Sequence, residues 1–422
     1  MTNLRLKTEE LLPGMYVVEV TRQSGQMQVT TQGWVRTSGA IKALRERGIE
    51  EILIDPSKTI AGSEAAKVQA AQAALAPVAT EPVAQPATSE RSAVGGVVTP
   101  GVVAGPLVPL ESELNRAAKL YGEAKELQKK AFDDLRAGRP LKLEPMQALA
   151  ASFIDSVFRN QDALLCMSRI REKDAYLLEH SVNVSILMTV FARHLKLDDT
   201  LTLDLATGAL FHDLGKTLVQ DRVLQKPGKL TDEEFAEMRR HVEYGYDAVK
   251  QMPDIAPLSL EVLVQHHERL DGTGYPHNLV GDQISRYGRM IAIVDTYDAI
   301  TASRVYKEGC TTTHAFKILR ESSGTGYDND LVMAFIRAIG VFPVGTLVRL
   351  KSQRLGIVIQ SGRTDPLRPT VKVFYHSRLR QQLPVNDVDL AAPRCDDEIE
   401  AAVKPEQFKI DLMGFLRSIT GV

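Results

Sequence analysis

The sequence predicts a mainly α-helical protein. An all-helical core lies between about residues 108 and 340, with a small α/β domain before it and a short β-rich appendage after it. Three observations carry this reading. Apolar residues recur at helical spacing through the middle of the chain. Short runs rich in Val, Ile and Tyr, bounded by Gly or Pro, occupy both ends. A stretch of Ala, Pro, Val, Gly and Gln from about Ala61 to Pro109 sets the first part off from the rest. At 422 residues the chain exceeds one ordinary core, so two or three domains are expected.

Taken in order, residues 1–58 read as a small α/β regulatory domain. Gly14–Val20, Gln26–Thr30 and Glu51–Ile54 are strand-like, and Ile41–Gly48 (IKALRERG) is a short helix ending in Gly. This part has no His and no Cys, so an adaptor or regulatory role is expected of it. Residues 59–109 hold too few large apolar side chains to offset their ordering entropy and read as a flexible linker. Residues 110–170 form a helical lead-in. Leu114, Ala117, Ala118, Tyr121, Ala124, Leu127 and Phe132 make a stripe for core or dimer contact, and a second helix runs from about Glu144 to Met167. Residues 171–340 continue as helices, among them Tyr176–His194, Leu201–Leu210 and Arg286–Ser303. Thr231-Asp232-Glu233-Glu234 is a capping box ahead of Phe235, Met238, Val242 and Val249, an apolar stripe beside which His241 sits. Residues 341–392 carry β-type runs at Val344–Leu350, Gly356–Ile359 and Val371–Tyr375, and 393–422 is a tail with an amphipathic helix from about Pro405.

Composition narrows the function. A net charge of −2 supplies no global basic field for DNA. Three scattered cysteines (Cys166, Cys310, Cys395) build neither a disulfide framework nor a thiolate zinc site. The first residues have no apolar core of signal-peptide length and no run reaches the ~18 residues of a spanning helix, so a cytoplasmic location is expected.

The chemistry gathers in the helical region. Five of the histidines there (His180, His212, His241, His266, His267) stand with Asp213 and Asp295 as candidate ligands. The stretch Gln265–Pro276 (QHHERLDGTGYP) sets two adjacent imidazoles before a loop whose glycines and proline fix its path. Imidazole with carboxylate and no thiolate suits Fe, Mn, Zn or Ni. Seven candidate ligands exceed what one tetrahedral ion takes, so two ions sharing Asp213 is the natural arrangement. Two ions roughly 3.5–4 Å apart stabilise both the attacking and the leaving oxygen of a phosphoryl displacement. Asp295 and Asp298, three apart, share one helix face.

His180, HDLGK at 212–216, KPGKLT at 226–231, His241, HHERLDGTGYP at 266–276 and Asp295–Arg304 (DTYDAITASR) together resemble the HD-GYP subgroup of the HD-domain phosphohydrolases. The resemblance covers about residues 171 to 340, and the first segment is similar to a small domain of undefined role that often precedes such domains. It implies an HD-type metal phosphohydrolase core that hydrolyses cyclic di-GMP to linear pGpG, with GMP as the alternative end product, through a metal-bridging hydroxide. It implies a place in bacterial signalling over biofilm formation, motility and virulence. His180, His212, Asp213, His241, His266, His267 and Asp295 are then the metal ligands, and His212, Asp213 and Lys216 the catalytic residues. Lys216, Arg304, Lys307, Tyr275 and Asp298 are the substrate-binding residues, with Asp298 better suited to orienting a ligand or pairing with Arg304. Two divalent ions, Fe or Mn, are the expected cofactors. Relatives thought to bind three ions carry a glutamate four residues before the first histidine; Tyr176 stands here, which favours two. The GYP loop is also a surface for diguanylate cyclases or adaptor proteins, and the lead-in helix one for a homodimer. A cyclic di-GMP sensor or scaffold without turnover is the alternative.

Overall fold

The computed structural model describes residues 4–13, 15–23, 33–35, 41–42, 44–45, 48–56, 59, 107–169, 176–302, 309–362, 365–408, 410–411 and 414–415. The chain divides into two units, residues 1–98 and 99–422. Among the described residues no helix is long and apolar enough to cross a membrane.

The first unit is a four-stranded antiparallel sheet of β1 (Leu4–Lys7), β2 (Met15–Gln23), β3 (Gly33–Val35) and β4 (Ile49–Ile54), in the order β1-β4-β2-β3. Strand β4 is central, which is why Ile49, Ile52 and Ile54 are buried with Leu11, Met15, Val17, Val35 and Ile41. Ile41, Lys42, Leu44 and Arg45 are helical, within the helix expected there. The expected strand Gln26–Thr30 and nearly all of the 59–109 linker lie outside the described residues.

The second unit opens with α1 (Leu110–Arg136) and α2 (Leu143–Arg169). The α1 stripe predicted for core or dimer contact faces inward: Leu114, Ala117, Tyr121, Ala124 and Phe132 are buried in the main hydrophobic cluster. The buried Glu113 accepts from Ser156 Oγ at 2.9 Å and from Arg159 at 2.7 and 2.8 Å, which ties the two helices together. Helix α2 is broken at Asn160, whose backbone is extended (φ −161°, ψ 101°). Its side-chain amide donates to Val108 O, and its Oδ1 accepts from Asp162 N and restarts the helix as a cap would.

Helix α3 (Tyr176–His194) runs through the middle of the core, with Val182, Val184, Ile186–Met188 and Val190–Ala192 buried. Around it stand α4 (Asp199–Phe211), α5 (Asp221–Leu224), α6 (Asp232–Arg239), α7 (His241–Val249), α8 (Pro257–Gln265), α9 (Arg286–Thr301), α10 (Thr312–Glu321) and α11 (Asn329–Ile339). The capping box forms as expected: Thr231 Oγ1 accepts from Glu234 N and Glu234 Oε2 from Thr231 N. The stripe read after it does not run on. Helix α6 buries no residue, Phe235 is 42% exposed, and the apolar face begins only at α7 with Val242 and Val249.

The β-rich end is a five-stranded sheet, β8-β7-β6-β5-β9, of β5 (Leu347–Leu350), β6 (Arg354–Gln360), β7 (Thr370–His376), β8 (Gln381–Asp389) and β9 (Ile399–Ala402). It shares one hydrophobic cluster with the helices, through Leu347, Val348, Leu355, Ile357 and Val371. The tail expected from residue 393 supplies β9, ahead of the helix expected from about Pro405, and pairs it with β5 at an otherwise open sheet edge. Of the helix expected from about Pro405, Pro405–Phe408 forms a 3-10 turn and Gly414 and Phe415 are helical, among the described residues.

Helix α1 also reaches toward the histidines. Tyr121 donates to Asn183 Oδ1 at 2.9 Å, Gln128 Nε2 donates to Leu210 O, and Lys125 lies 3.5 Å from the buried Glu179, the neighbour of His180. The lead-in is therefore part of the framework that fixes α3 and the end of α4.

Candidate metal centre

The predicted ligands come from five elements and converge. His180 sits in the second turn of α3. His212 and Asp213 follow α4, His241 opens α7, His266 and His267 close α8, and Asp295 lies on α9. Two groups form: Asp213 with His241, His266 and His267, and His180 with His212 and Asp295. Within each group the ligand atoms lie within 4.8 Å of one another.

Three of the imidazoles are aimed by the same device. The last carbonyls of a helix lack a partner of their own. His212 Nδ1 donates to Ala209 O (2.7 Å), His241 Nδ1 to Met238 O (2.6 Å) and His266 Nδ1 to Leu263 O (2.5 Å), the acceptors lying in the final turns of α4, α6 and α8. Each ring thereby satisfies a helix end and turns Nε2 inward as a lone pair. His180 instead lies between two carboxylates, Nδ1 2.7 Å from Asp298 Oδ2 and Nε2 3.0 Å from Asp295 Oδ1. His267 differs, with Nδ1 3.7 Å from Asp295 Oδ2.

Asp213 stands between the two groups. Its Oδ2 faces His180 (3.4 Å) and His212 (3.5 Å), and its Oδ1 faces His241 (3.5 Å) and His266 (3.8 Å). The donor set fits a cation. His212 Nε2 and Asp213 Oδ1 are buried with no hydrogen-bond partner, and the inward Nε2 atoms of His241 and His266 face each other at 3.4 Å. Buried polar atoms left without partners are costly, and a divalent ion relieves all of them together.

Electrostatics prepares the same state. Burial pushes His212, His266 and His267 below the ordinary imidazole value, and pushes His241 down to about 4 with Lys216 adding to it. Neutral rings are the ones that ligate. Burial alone would raise the Asp213 and Asp295 carboxyls. Lys216 and the surrounding imidazoles outweigh it at Asp213, and His180 and His267 lead at Asp295, so both carboxyls are held well below the usual range. His180 goes the other way: burial opposes its charge, but the hydrogen bonds to Asp295 and Asp298 win and raise it to about 9.

That last shift has a readable consequence. An ordinary imidazole titrates near 6.5, so at pH 7.5 the metal-free His180 carries a proton that an incoming ion must displace. His180 charge stabilises the metal-free fold fully below pH 6.5, and that contribution is lost as pH rises through about 9. Metal affinity is accordingly expected to rise with pH up to about 9. Calorimetric metal titrations at pH 7.5, in buffers of different ionisation enthalpy, are expected to report release of about one proton; release of none would remove His180 from the ligand set.

Some expectations shift and others fall outside. Asp298 is fully buried with Oδ2 2.7 Å from His180 Nδ1, a position that suits the orienting role read for it better than substrate contact. Replacing it with Ala is expected to weaken metal binding about 10–100-fold, the usual effect of losing such a partner, with the melting transition still cooperative; unchanged affinity would exclude the orienting role. Lys216 Nζ lies 2.5 Å from Asp213 Oδ2 at the rim of the site. Tyr275 packs its ring 4.6 Å from that of His267. Arg304 and Lys307 lie outside the described residues, as does the side chain of Tyr176.

One residue escaped the sequence reading. Glu268, buried between the paired histidines and the loop, accepts from His277 N (2.8 Å) and Leu279 N (3.0 Å) and so pins the far end of the GYP loop. Its signal was a charged residue directly after two ligands. Gly274 is needed for close approach, since a Cβ there would meet Arg269 N at 2.4 Å and Glu268 Cα at 2.5 Å.

Comparison with known proteins agrees with this geometry. Residues 165–331 match the HD domain family, and residues 3–146 match a domain of unknown function, DUF3391, whose extent runs past the boundary read at residue 58 and through α1. The chain is 38% identical to a cyclic di-GMP phosphodiesterase of Pseudomonas aeruginosa, over 85% of this chain and 81% of that one. It is 30% identical to a cyclic di-GMP phosphodiesterase of Thermotoga maritima, over 53% of this chain and 59% of that one. Among solved structures, an HDG"Y"P protein from Bdellovibrio bacteriovorus aligns with a TM-score of 0.45 at 16% identity, covering 79% of this chain and 98% of that one. The chain belongs to the HD-domain phosphohydrolases, in their HD-GYP branch, with an N-terminal DUF3391 region.

Proposed function

We propose that the chain is a metal-dependent phosphodiesterase that opens cyclic di-GMP to linear pGpG. The observation that carries this is Asp213, whose two carboxylate oxygens each face a different group of imidazoles, the disposition a carboxylate shared by two ions requires. His180, His212 and Asp295 would hold one ion, and His241, His266 and His267 the other. Iron or manganese suits a set of imidazoles and carboxylates without thiolate. Bound there, the pair would supply Lewis acidity at the phosphate and activate water at neutral pH.

The chain's own residues do the rest. Lys216, 19% exposed at the rim, is placed to leave Asp213 for a phosphate oxygen. Tyr275 walls the open side of the imidazole cluster, and burial raises its phenol so that it stays neutral there. Arg304 and Lys307 are assigned the second phosphate and a guanine edge on the sequence pattern alone. The cytoplasm is the proposed location, and the GYP loop the proposed face for protein partners.

The test uses protein purified without oxygen, with metal counted by elemental analysis and nucleotides followed by chromatography. About two ions per chain, with cyclic di-GMP converted to pGpG or GMP, supports the reading. Fully metallated protein that binds the dinucleotide and leaves it intact would overturn it in favour of a sensor.

A further inference from the structure

A strip of rings and one cation leads outward from the imidazole cluster. The Tyr275 ring lies 4.6 Å from that of His267 and 6.3 Å from that of His241, and Phe235 meets Tyr275 edge-on at 6.2 Å and 82°. The Arg239 guanidinium carbon sits 4.6 Å from the centre of the Phe235 ring and 5.7 Å from that of Tyr275. Phe235 is 42% exposed on a helix that buries nothing, so core packing does not account for it.

Arg239 is set apart from its charged neighbours Glu233, Glu234, Glu237 and Arg240. The next residue, Arg240, is paired with Glu237 and lies over Tyr244. On the same helix Glu234 is paired with Lys226, and Glu233 accepts from Thr231. Glu233, Glu234 and Glu237 are engaged elsewhere, and among the described residues the Arg239 side chain makes no ion pair or hydrogen bond. A guanidinium laid on aromatic faces keeps its planar fork of N–H donors directed outward.

That fork beside a stacking surface is the chemistry that reads guanine. Arg donates both N–H groups to O6 and N7 of guanine, whereas adenine offers an amine where guanine has O6. Aromatic rings stack any base. We infer that Phe235, Arg239 and Tyr275 form a guanine-recognition platform at the mouth of the metal centre, with Arg239 the residue that selects guanine. The inference rests on the proposed function, since the base it reads belongs to the cyclic dinucleotide whose phosphate lies at the ions, one ring further in.

The test compares metal-loaded wild type, Arg239→Ala, Arg239→Lys and Phe235→Ala, all checked for metal content and melting temperature. Cyclic di-GMP is the substrate and cyclic di-AMP, with the same phosphates and different bases, the competing ligand. Arg239→Ala is expected to raise KM for cyclic di-GMP about tenfold or more, the discrimination of one bidentate contact, with kcat within about twofold and the inhibition constant of cyclic di-AMP unchanged. Arg239→Lys keeps the charge without the fork and is expected to behave like the alanine variant. Phe235→Ala is expected to weaken both dinucleotides. Equal weakening of both by Arg239→Ala makes the contact a phosphate contact and overturns the inference, as does full rescue by lysine or an unchanged KM. A wild-type protein that neither binds nor cleaves cyclic di-GMP overturns the proposed function itself, so the two failures are separable.

Discussion

Asp213→Asn protein is expected to fold, to hold about one ion fewer per chain than wild type, and to turn over cyclic di-GMP about a thousandfold more slowly or worse. Asn has the shape of Asp and keeps an oxygen that can accept from Lys216, which now lies 2.5 Å from Oδ2. It loses the charge and one of the two oxygens, and with them the shared ligand between His180 and His212 on one side and His241 and His266 on the other. Charge stabilisation by a bound ion is worth several kcal/mol in the transition state, and each 1.36 kcal/mol is about tenfold in rate. Elemental analysis and chromatographic turnover on the same sample read both halves of the expectation. Near-normal metal content with near-normal rate would remove Asp213 from the centre of the mechanism.

The candidate ligands were legible because their constraint is local. A histidine at a helix end satisfies a terminal carbonyl three residues back and presents its other nitrogen, and His212, His241 and His266 all stand where the sequence already ends or begins a helix. The acidic pair was legible as a face from spacing, and only the motif resemblance singled out Asp295 as the carboxylate that reaches the centre. Asp295 contacts His180 Nε2 and Asp298 contacts Nδ1, a difference set by how α9 packs against α3 rather than by spacing.

What escaped was mostly non-local. Strand β8 (QQLPVNDVD) lies at the sheet edge with most of its residues exposed, so it needs no alternation of apolar side chains, and Pro384 is tolerated there. Strand β9 exists because β5 offers an edge more than 45 residues upstream. Phe235 read as core because it stands three residues before Met238, yet the chain leaves α6 at Arg240 and starts α7 at His241. A two-helix break of one residue is invisible to periodicity, and here it is what puts an aromatic ring on the surface beside Tyr275.

Gly215→Ala should be the most damaging exchange of a single hydrogen for a methyl in this domain. Gly215 follows the ligand pair in the 3-10 helix Leu214–Leu218, and that turn packs directly on the backbone of α7. A Cβ on Gly215 would meet the backbone of His241 and Gly245, with Gly245 N only 2.5 Å away. Neither contact is the tip of a flexible side chain, so α7 must move, and His241, its first residue, moves with it. Overpacking of this kind costs about 1–3 kcal/mol where side chains can adjust, and about 3 kcal/mol or more is expected where only backbone can yield. The variant should therefore melt lower by several degrees and lose metal affinity through displaced His241, although no ligand has been changed. Gly122→Ala is the control. Gly122 lies inside α1 with nothing within 4 Å of an added Cβ, so removing its backbone freedom should stabilise the helix by about 0.5–1 kcal/mol and leave metal binding as it was. Thermal melts and metal titrations on the two variants separate a general intolerance of substitution from the specific closeness of the HD turn to α7. Equal effects from both would show that the close approach at Gly215 does not hold His241 in place.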